Sequence, residues 1–191
     1  LSGRDAAFAT ELTYGTLRRS GTYDRIAAAA IDRPWDGVDP PVRDLLRLGT
    51  HQLLGMQVPS HAAVATTVTL ATRELGRGRA GFVNAVLRRV ARERENCPLP
   101  DLASNPVGHL EHALSLPHWI AERWLADYGP DAAVALARAS NAAPPLSVRA
   151  NPLRGTRERL LENLKADFPD ARMCRYATHG LVLGHGGAPG N

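Results

Sequence analysis

Apolar residues recur at helical spacing through the first half of the chain. Phe8 and Leu12 lie four apart beside a small-residue strip of Ala9, Thr13 and Thr16, predicting a helix over residues 5–19. Tyr23, Ile26, Ala27, Ala30 and Ile31 follow the i, i+3, i+4, i+7, i+8 pattern of a second helix. Asp32 to Asp39, with Pro34 and Gly37, reads as a loop. Asp39-Pro40-Pro41 then signals a helix start, a carboxylate able to cap followed by proline at the first helical positions. Val42, Leu45, Leu46, Gly49 and Leu53 form the buried face of this third helix. Pro59 ends the connection, Ser60 can cap a fourth helix, and Val64, Thr67, Val68, Ala71 and Leu75 repeat within it. Gly76-Arg77-Gly78-Arg79 breaks that helix. A fifth, from about Gly81 to Glu95, turns Val83, Val86, Leu87 and Val90 inward. Five helices joined by short loops predict an all-α bundle over residues 1–97.

The pattern changes after that. Residues 98–116, opening Pro98-Leu99-Pro100, read as a linker. Pro117 to Tyr128 is a helix in which Ile120, Trp124 and Tyr128 stack four apart, and Asp131 to Ala139 is another. Leu146 to Ala150 alternates with period two, as a half-buried strand does. Thr156 opens a short helix with Leu160, Leu161 and Leu164 on one side, and Met173–Ala177 and Leu181–Leu183 are short strand candidates. The fold class is therefore mainly α: a helical bundle followed by a small α+β subdomain over 117–183 with β-α-β elements, and a flexible terminus over 184–191. Two or three strands are marginal alone. The subdomain is expected to want a partner and the chain to be a truncated protein.

Charge sharpens the picture because it has an address. The net charge is +4. Residues 73–95 hold seven arginines (Arg73, Arg77, Arg79, Arg88, Arg89, Arg92, Arg94) against three glutamates, while 1–72 and 96–191 each balance to zero. Lys165 is the one lysine, so arginine richness as such reads as codon choice, but codon choice does not localise the surplus. Localised positive charge is what polyanion binding requires. These seven arginines are the candidate RNA-binding residues; the bland reading makes them a solvated helix face. No apolar run nears the roughly 18–20 residues that span a bilayer. Cys97 and Cys174 are far apart, so a cytoplasmic, reducing setting is expected.

Other chemistry is sparse. Guanidinium groups bind phosphate bidentately and stack on bases. Arg88, Arg89 and Arg92 suit a helix surface, and Arg77 and Arg79 a glycine-flanked loop at a helix start. Phe82 reads as core, and Trp119 and Trp124 as packing rather than stacking platforms for bases. His109, Glu111, His112 and His118 lack the cysteines or regular third ligand of a zinc site, so no metal is expected. His51 and His61 read as structural. Gly184 to Gly190 follows no phosphate-loop pattern, and no catalytic residue stands out.

Several segments resemble one family. Arg4 to Arg18, Leu46 to Leu54, Val58 to Val64 and Gly81 to Arg89 are similar, in this order, to motifs of NusB-like domains. Pro117 to Trp124 and Pro144 to Pro152 resemble the pre-catalytic subdomain of the Fmu/Sun (RsmB) group of 16S rRNA cytosine-C5 methyltransferases. The resemblance covers nearly the whole chain. It implies an RNA-binding region that positions 16S rRNA, with the chain's own C-terminal methyltransferase domain, and the S-adenosylmethionine it would bind, absent here. It also implies a missing first helix. Asn96-Cys97-Pro98 and Met173-Cys174-Arg175 do not match the family's Pro-Cys and Thr-Cys contexts, so no catalytic residue carries over. A NusB-like protein-docking module of the antitermination type, without a link to methyl transfer, is the alternative.

Overall fold

The computed structural model describes residues 3–56, 58–93, 99–142 and 144–184. Arg94, Cys97 and, beyond Gly184, the terminus expected to be flexible lie outside these residues. The chain divides into two compact units, Leu1–Asn141 and Ala142–Asn191.

In the first unit, α1 (Gly3–Arg18), α2 (Ser20–Ala29), α3 (Pro40–Leu54), α4 (Ser60–Leu75) and α5 (Arg77–Glu93) form the bundle. Pro40 and Pro41 occupy the first positions of α3, where the missing N–H groups have no helical partner anyway. Asp39 sits at the cap but makes no capping bond, and Ser60 is the first helical residue rather than a cap. The predicted stripes converge: Leu46, Val83 and Leu87 are fully buried, and Tyr23, Ile26, Val42, Val64 and Val90 pack with them. Leu87 fills a niche that Gly49 leaves, since a Cβ there would come 2.5 Å from Leu87 Cδ1. Gln52 Nε2 donates to Thr67 Oγ1 at 3.1 Å, satisfying two buried polar groups across α3 and α4. Arg47 donates to both oxygens of Asp24, at 2.6 and 2.7 Å, joining α3 to α2. The stripe expected on α1 is buried only at Thr16, with Leu12 half-buried. Phe8 is 46% exposed, Tyr14 62% and Leu17 65%, because α1 meets the bundle through Gly15 and Thr16.

That junction centres on His51, which is 2% exposed. Tyr23 Oη lies 2.8 Å from His51 Nδ1, and burial pushes the Tyr23 phenol up to about 12. The phenol therefore keeps its proton and donates to Nδ1, leaving the imidazole proton on Nε2, 3.7 Å from Glu11 Oε1. Burial also lowers the His51 pKa below its ordinary 6.5. The folded state thus binds this proton less readily than the unfolded chain does. The stabilisation is fully present above the unfolded value near 6.5 and is lost as pH falls through the lower folded value. Urea midpoints should fall from pH 7.5 to pH 5, and His51→Gln should flatten that slope; an unchanged slope in the variant would contradict the assignment.

The segment 98–116, expected as a linker, carries structure. Asn105 Oδ1 accepts from the Gly108 amide at 2.8 Å and caps α6 (Pro106–Gly108), which continues as a π-helical turn, His109–Ala113. Leu110 is fully buried there, and Ser115 Oγ accepts from the Thr22 amide at 2.9 Å. Leucines at 102, 110, 114 and 116 supply enough apolar surface to form a second core with Ile120, Ala121, Trp124 and Val134 of α7 (His118–Asn141). Proline and asparagine mark the turns in this segment, and they concealed its apolar content. Gly129 (φ 75°) followed by Pro130 breaks α7 where two helices were predicted. Trp119 is not a core residue: it is 69% exposed, one position off the inward Ile120–Trp124 row.

In the second unit, β1 (Leu146–Arg149), α8 (Arg157–Leu164), β2 (Arg172–Met173) and β3 (Gly180–Gly184) give an antiparallel sheet of order β1-β3-β2. Thr156 caps α8 by accepting from the Arg159 amide at 3.2 Å. Leu181 and Leu183 pack with Val148, Leu160, Leu161 and Phe168 in a third core.

Candidate nucleic-acid interface

The arginine-rich segment is more helical than expected. Gly76 (φ 85°) makes the whole turn between α4 and α5, because glycine enters the left-handed region without strain. Its carbonyl accepts the Ala80 amide at 3.1 Å, so α5 begins at Arg77. Arg77 and Arg79, expected in a loop, therefore lie in the first turn of α5.

Helical spacing then sorts the arginines into two faces. Arg77, Gly81, Asn84, Arg88 and Arg92 fall at i, i+4, i+7, i+11 and i+15, on one stripe. Arg79, Phe82 and Arg89 fall on a neighbouring face that meets the loop 32–39. On this second face the charges are matched. Arg79 reaches Asp39 at 2.9 Å. Arg89 lies 3.3 Å from Glu93 and 3.4 Å from Asp32, and the two carboxylates, Glu93 first, raise its pKa further. On α4, Arg73 is taken by its neighbour Glu74 at 2.7 Å. Arg77, Arg88 and Arg92 make no ion pair among the described residues; Arg88 Nε instead donates to Asn84 Oδ1 at 3.0 Å. Six of the seven predicted residues are thus placed, and three of them have no carboxylate partner among the described residues, while Arg94 lies outside those residues.

Two cavities flank the Arg88–Arg92 ridge. One, about 640 Å³ between α4 and α5, is floored by Val64, Val68 and Ala91 and edged by Ser60, His61 and Asn84. The other, about 610 Å³ between α5 and the segment that follows α2, is lined by Ile31, Asp32, Arg33, Phe82 and Ala85. Phe82, expected in the core, is half-buried, with the Arg33 guanidinium 4.3 Å from its ring centre. His61 is exposed on the first turn of α4, whereas His51 is buried beneath α1.

Charge counting misses Arg33 and Asn84 because one lies in a balanced segment and the other is uncharged. It also misses a second basic region. Residues 142–191 hold seven basic side chains against four acidic, a surplus that the acidic stretch 96–141 offsets when the two are summed. In that unit Asn151, Arg154, Thr156 and Arg159 line a cavity of about 300 Å³. Arg149 and Arg172 share one sheet face with Ser147 and Val182 by register. Splitting the count at the strand region would have shown this.

His118 Nδ1 lies 2.8 Å from Glu111 Oε2 and its Nε2 lies 3.4 Å from Glu122, and these carboxylates raise its pKa, Glu111 foremost. Among the described residues, no three His, Cys, Asp or Glu side chains converge on a metal position, and no helix is long and apolar enough to cross a membrane.

Comparison with known proteins adds two matches. Residues 1–92 match the family model described as the NusB family. Residues 116–188 match that described as the Methyltr_RsmF/B-like, ferredoxin-like domain. The chain is 33% identical over 180 residues to a ribosomal RNA small subunit methyltransferase B of Pseudomonas putida, 94% of this chain and 40% of that protein. It is 41% identical over 148 residues to the protein of that name in Thermus thermophilus, 77% of this chain and 32% of that one. It is also 49% identical over 126 residues to a putative methyltransferase of Mycobacterium tuberculosis, 64% of this chain and 28% of that protein. The chain therefore spans less than half the length of each of these relatives.

Proposed function

We propose that this chain, whose residues 1–92 belong to the NusB family and whose residues 116–188 belong to the RsmF/B-like ferredoxin-like domain family, holds small-subunit (16S) ribosomal RNA for a cytosine-C5 methyl transfer. The observation that carries this reading is the α5 stripe on which Arg77, Arg88 and Arg92 keep charge that no carboxylate among the described residues matches. Such guanidinium groups position a phosphate backbone and give affinity rather than sequence readout. The names of the Pseudomonas and Thermus relatives support ribosomal RNA as the polyanion. The setting is the cytoplasm, where this RNA resides.

Methyl transfer itself is proposed for a catalytic domain of the kind found in the longer relatives, docked to this chain and supplying S-adenosylmethionine. The described residues of this chain do not fit that cofactor. Their sheet is antiparallel and three-stranded, without the parallel strand ends and acidic ribose ligand that hold an adenosyl group. Cys174 is half-buried and packs beside Gly180, where a Cβ would come 2.8 Å from its Sγ.

Titrating a 16S rRNA fragment at several salt concentrations tests the reading. Three unmatched arginines predict a slope of log affinity on log salt of roughly −2 to −3. Salt-insensitive or absent binding would overturn it. The protein-docking alternative has one observation in its favour, the exposed Phe8, Tyr14 and Leu17 on α1. On that alternative, reversing the α5 charges leaves RNA binding unchanged, and serine at Phe8 and Leu17 abolishes docking.

A further inference from the structure

We propose that the groove between α4 and α5 takes one unpaired nucleotide of the bound RNA, and that Asn84 reads its base as a hydrogen-bond donor. This rests on the RNA-holding reading above and adds to it a nucleotide class and a residue that determines specificity.

The groove, about 640 Å³, falls within the roughly 300–1,000 Å³ of small-molecule sites. Its floor of Val64, Val68 and Ala91 is apolar and suits the face of a base, while Arg88 and Arg92 line the same groove and suit its phosphate. Positive charge beside an apolar slot complements a nucleotide better than it does an apolar peptide. Ser60 and His61 line the groove at the first turn of α4, where the helix dipole also favours negative charge. A base in a duplex has both faces stacked and cannot enter; an unpaired one can.

Among the described residues, Asn84 is the one side-chain amide that lines the groove. Arginine has no acceptor, so the 3.0 Å bond from Arg88 Nε requires the amide oxygen of Asn84 to face Arg88. Its NH2 group is then turned away from Arg88. A donor held in this way selects bases that offer a carbonyl oxygen, as uracil, cytosine and guanine do. Adenine offers only ring nitrogens, and beside N7 and N1 it presents an amino donor that the Asn84 oxygen, already engaged by Arg88, does not take up.

Short oligouridine, oligoadenine and an RNA duplex of equal length, titrated against the full chain at one salt concentration, test this. Oligouridine should bind about tenfold tighter than oligoadenine and more tightly than the duplex, as expected for one well-placed hydrogen bond and a filled slot. Asn84→Leu should remove the uridine preference while leaving the salt slope and duplex affinity unchanged, because the arginines remain. Asn84→Ala serves the same purpose if leucine disturbs folding. Equal binding of oligouridine and oligoadenine by the wild type, or a preference that survives both variants, overturns the proposal while the RNA-holding reading stands. Absence of all RNA binding by the wild type overturns both.

Discussion

Replacing Arg77, Arg88 and Arg92 together by glutamate lowers the affinity for ribosomal RNA by about a thousandfold or more. A hydrogen bond to a charged group is worth about 1.5–3 kcal/mol, and three at the low end already reach that factor. The salt slope should fall by about three units, one for each phosphate that is no longer bound. All three side chains are exposed, so the fold should survive the change. The informative control is Arg73, Arg79 and Arg89 replaced together by glutamine. Each of these already has a carboxylate within 3.4 Å, and a phosphate would have to displace it. Their removal should cost less than about tenfold, in keeping with the small net worth of exposed ion pairs. Equal reductions from the two sets would mean that total charge matters and the α5 stripe does not. No reduction from either would leave the protein-docking alternative standing.

The largest stability effect is expected at Leu87. It is fully buried on α5 and seated against Gly49 of α3. Leu87→Ala should destabilise the first unit by about 2–5 kcal/mol, a transfer cost plus the cavity left behind. Against a typical stability of about 5–15 kcal/mol, this is a large fraction. Gly49→Ala drives a methyl into the same niche and should cost about 1–3 kcal/mol by overpacking. The two changes compensate in part, because the new methyl enters space that the leucine vacates. The double variant should therefore be less destabilised than the sum, with a coupling of about 0.5–3 kcal/mol. Urea unfolding of the four proteins measures it. Strict additivity would show that the niche relaxes independently of Leu87.

The elements of the bundle were legible because each buries one face against its neighbours, so apolar spacing reports the geometry directly. Val83, Val86, Leu87 and Val90 lie inward as their period requires. Where a helix has little to bury against, the same reasoning fails. Phe8 carries a core-like signal and remains exposed. Segment 98–116 failed in the opposite direction: its turn residues outweighed leucines whose partners lie in α7. Strand lengths also shifted, since β2 pairs through two residues where five were expected.

The candidate site shows the same division. The sequence by itself determined that the surplus charge sits in residues 73–95, that the flanking helices are amphipathic, and that the chain resembles NusB-like and RsmB-type regions, a resemblance matched by the two families. Tertiary structure decided which arginines are available. Asp39 and Asp32 lie 40 and 57 residues before Arg79 and Arg89, and no local pattern links them. Folding brings those carboxylates to one face of α5 and leaves Arg77, Arg88 and Arg92 on another, where no described carboxylate matches them. Charge is a property of composition, but neutralisation is a property of distance, and distance between residues far apart in the chain exists only once the helices have packed.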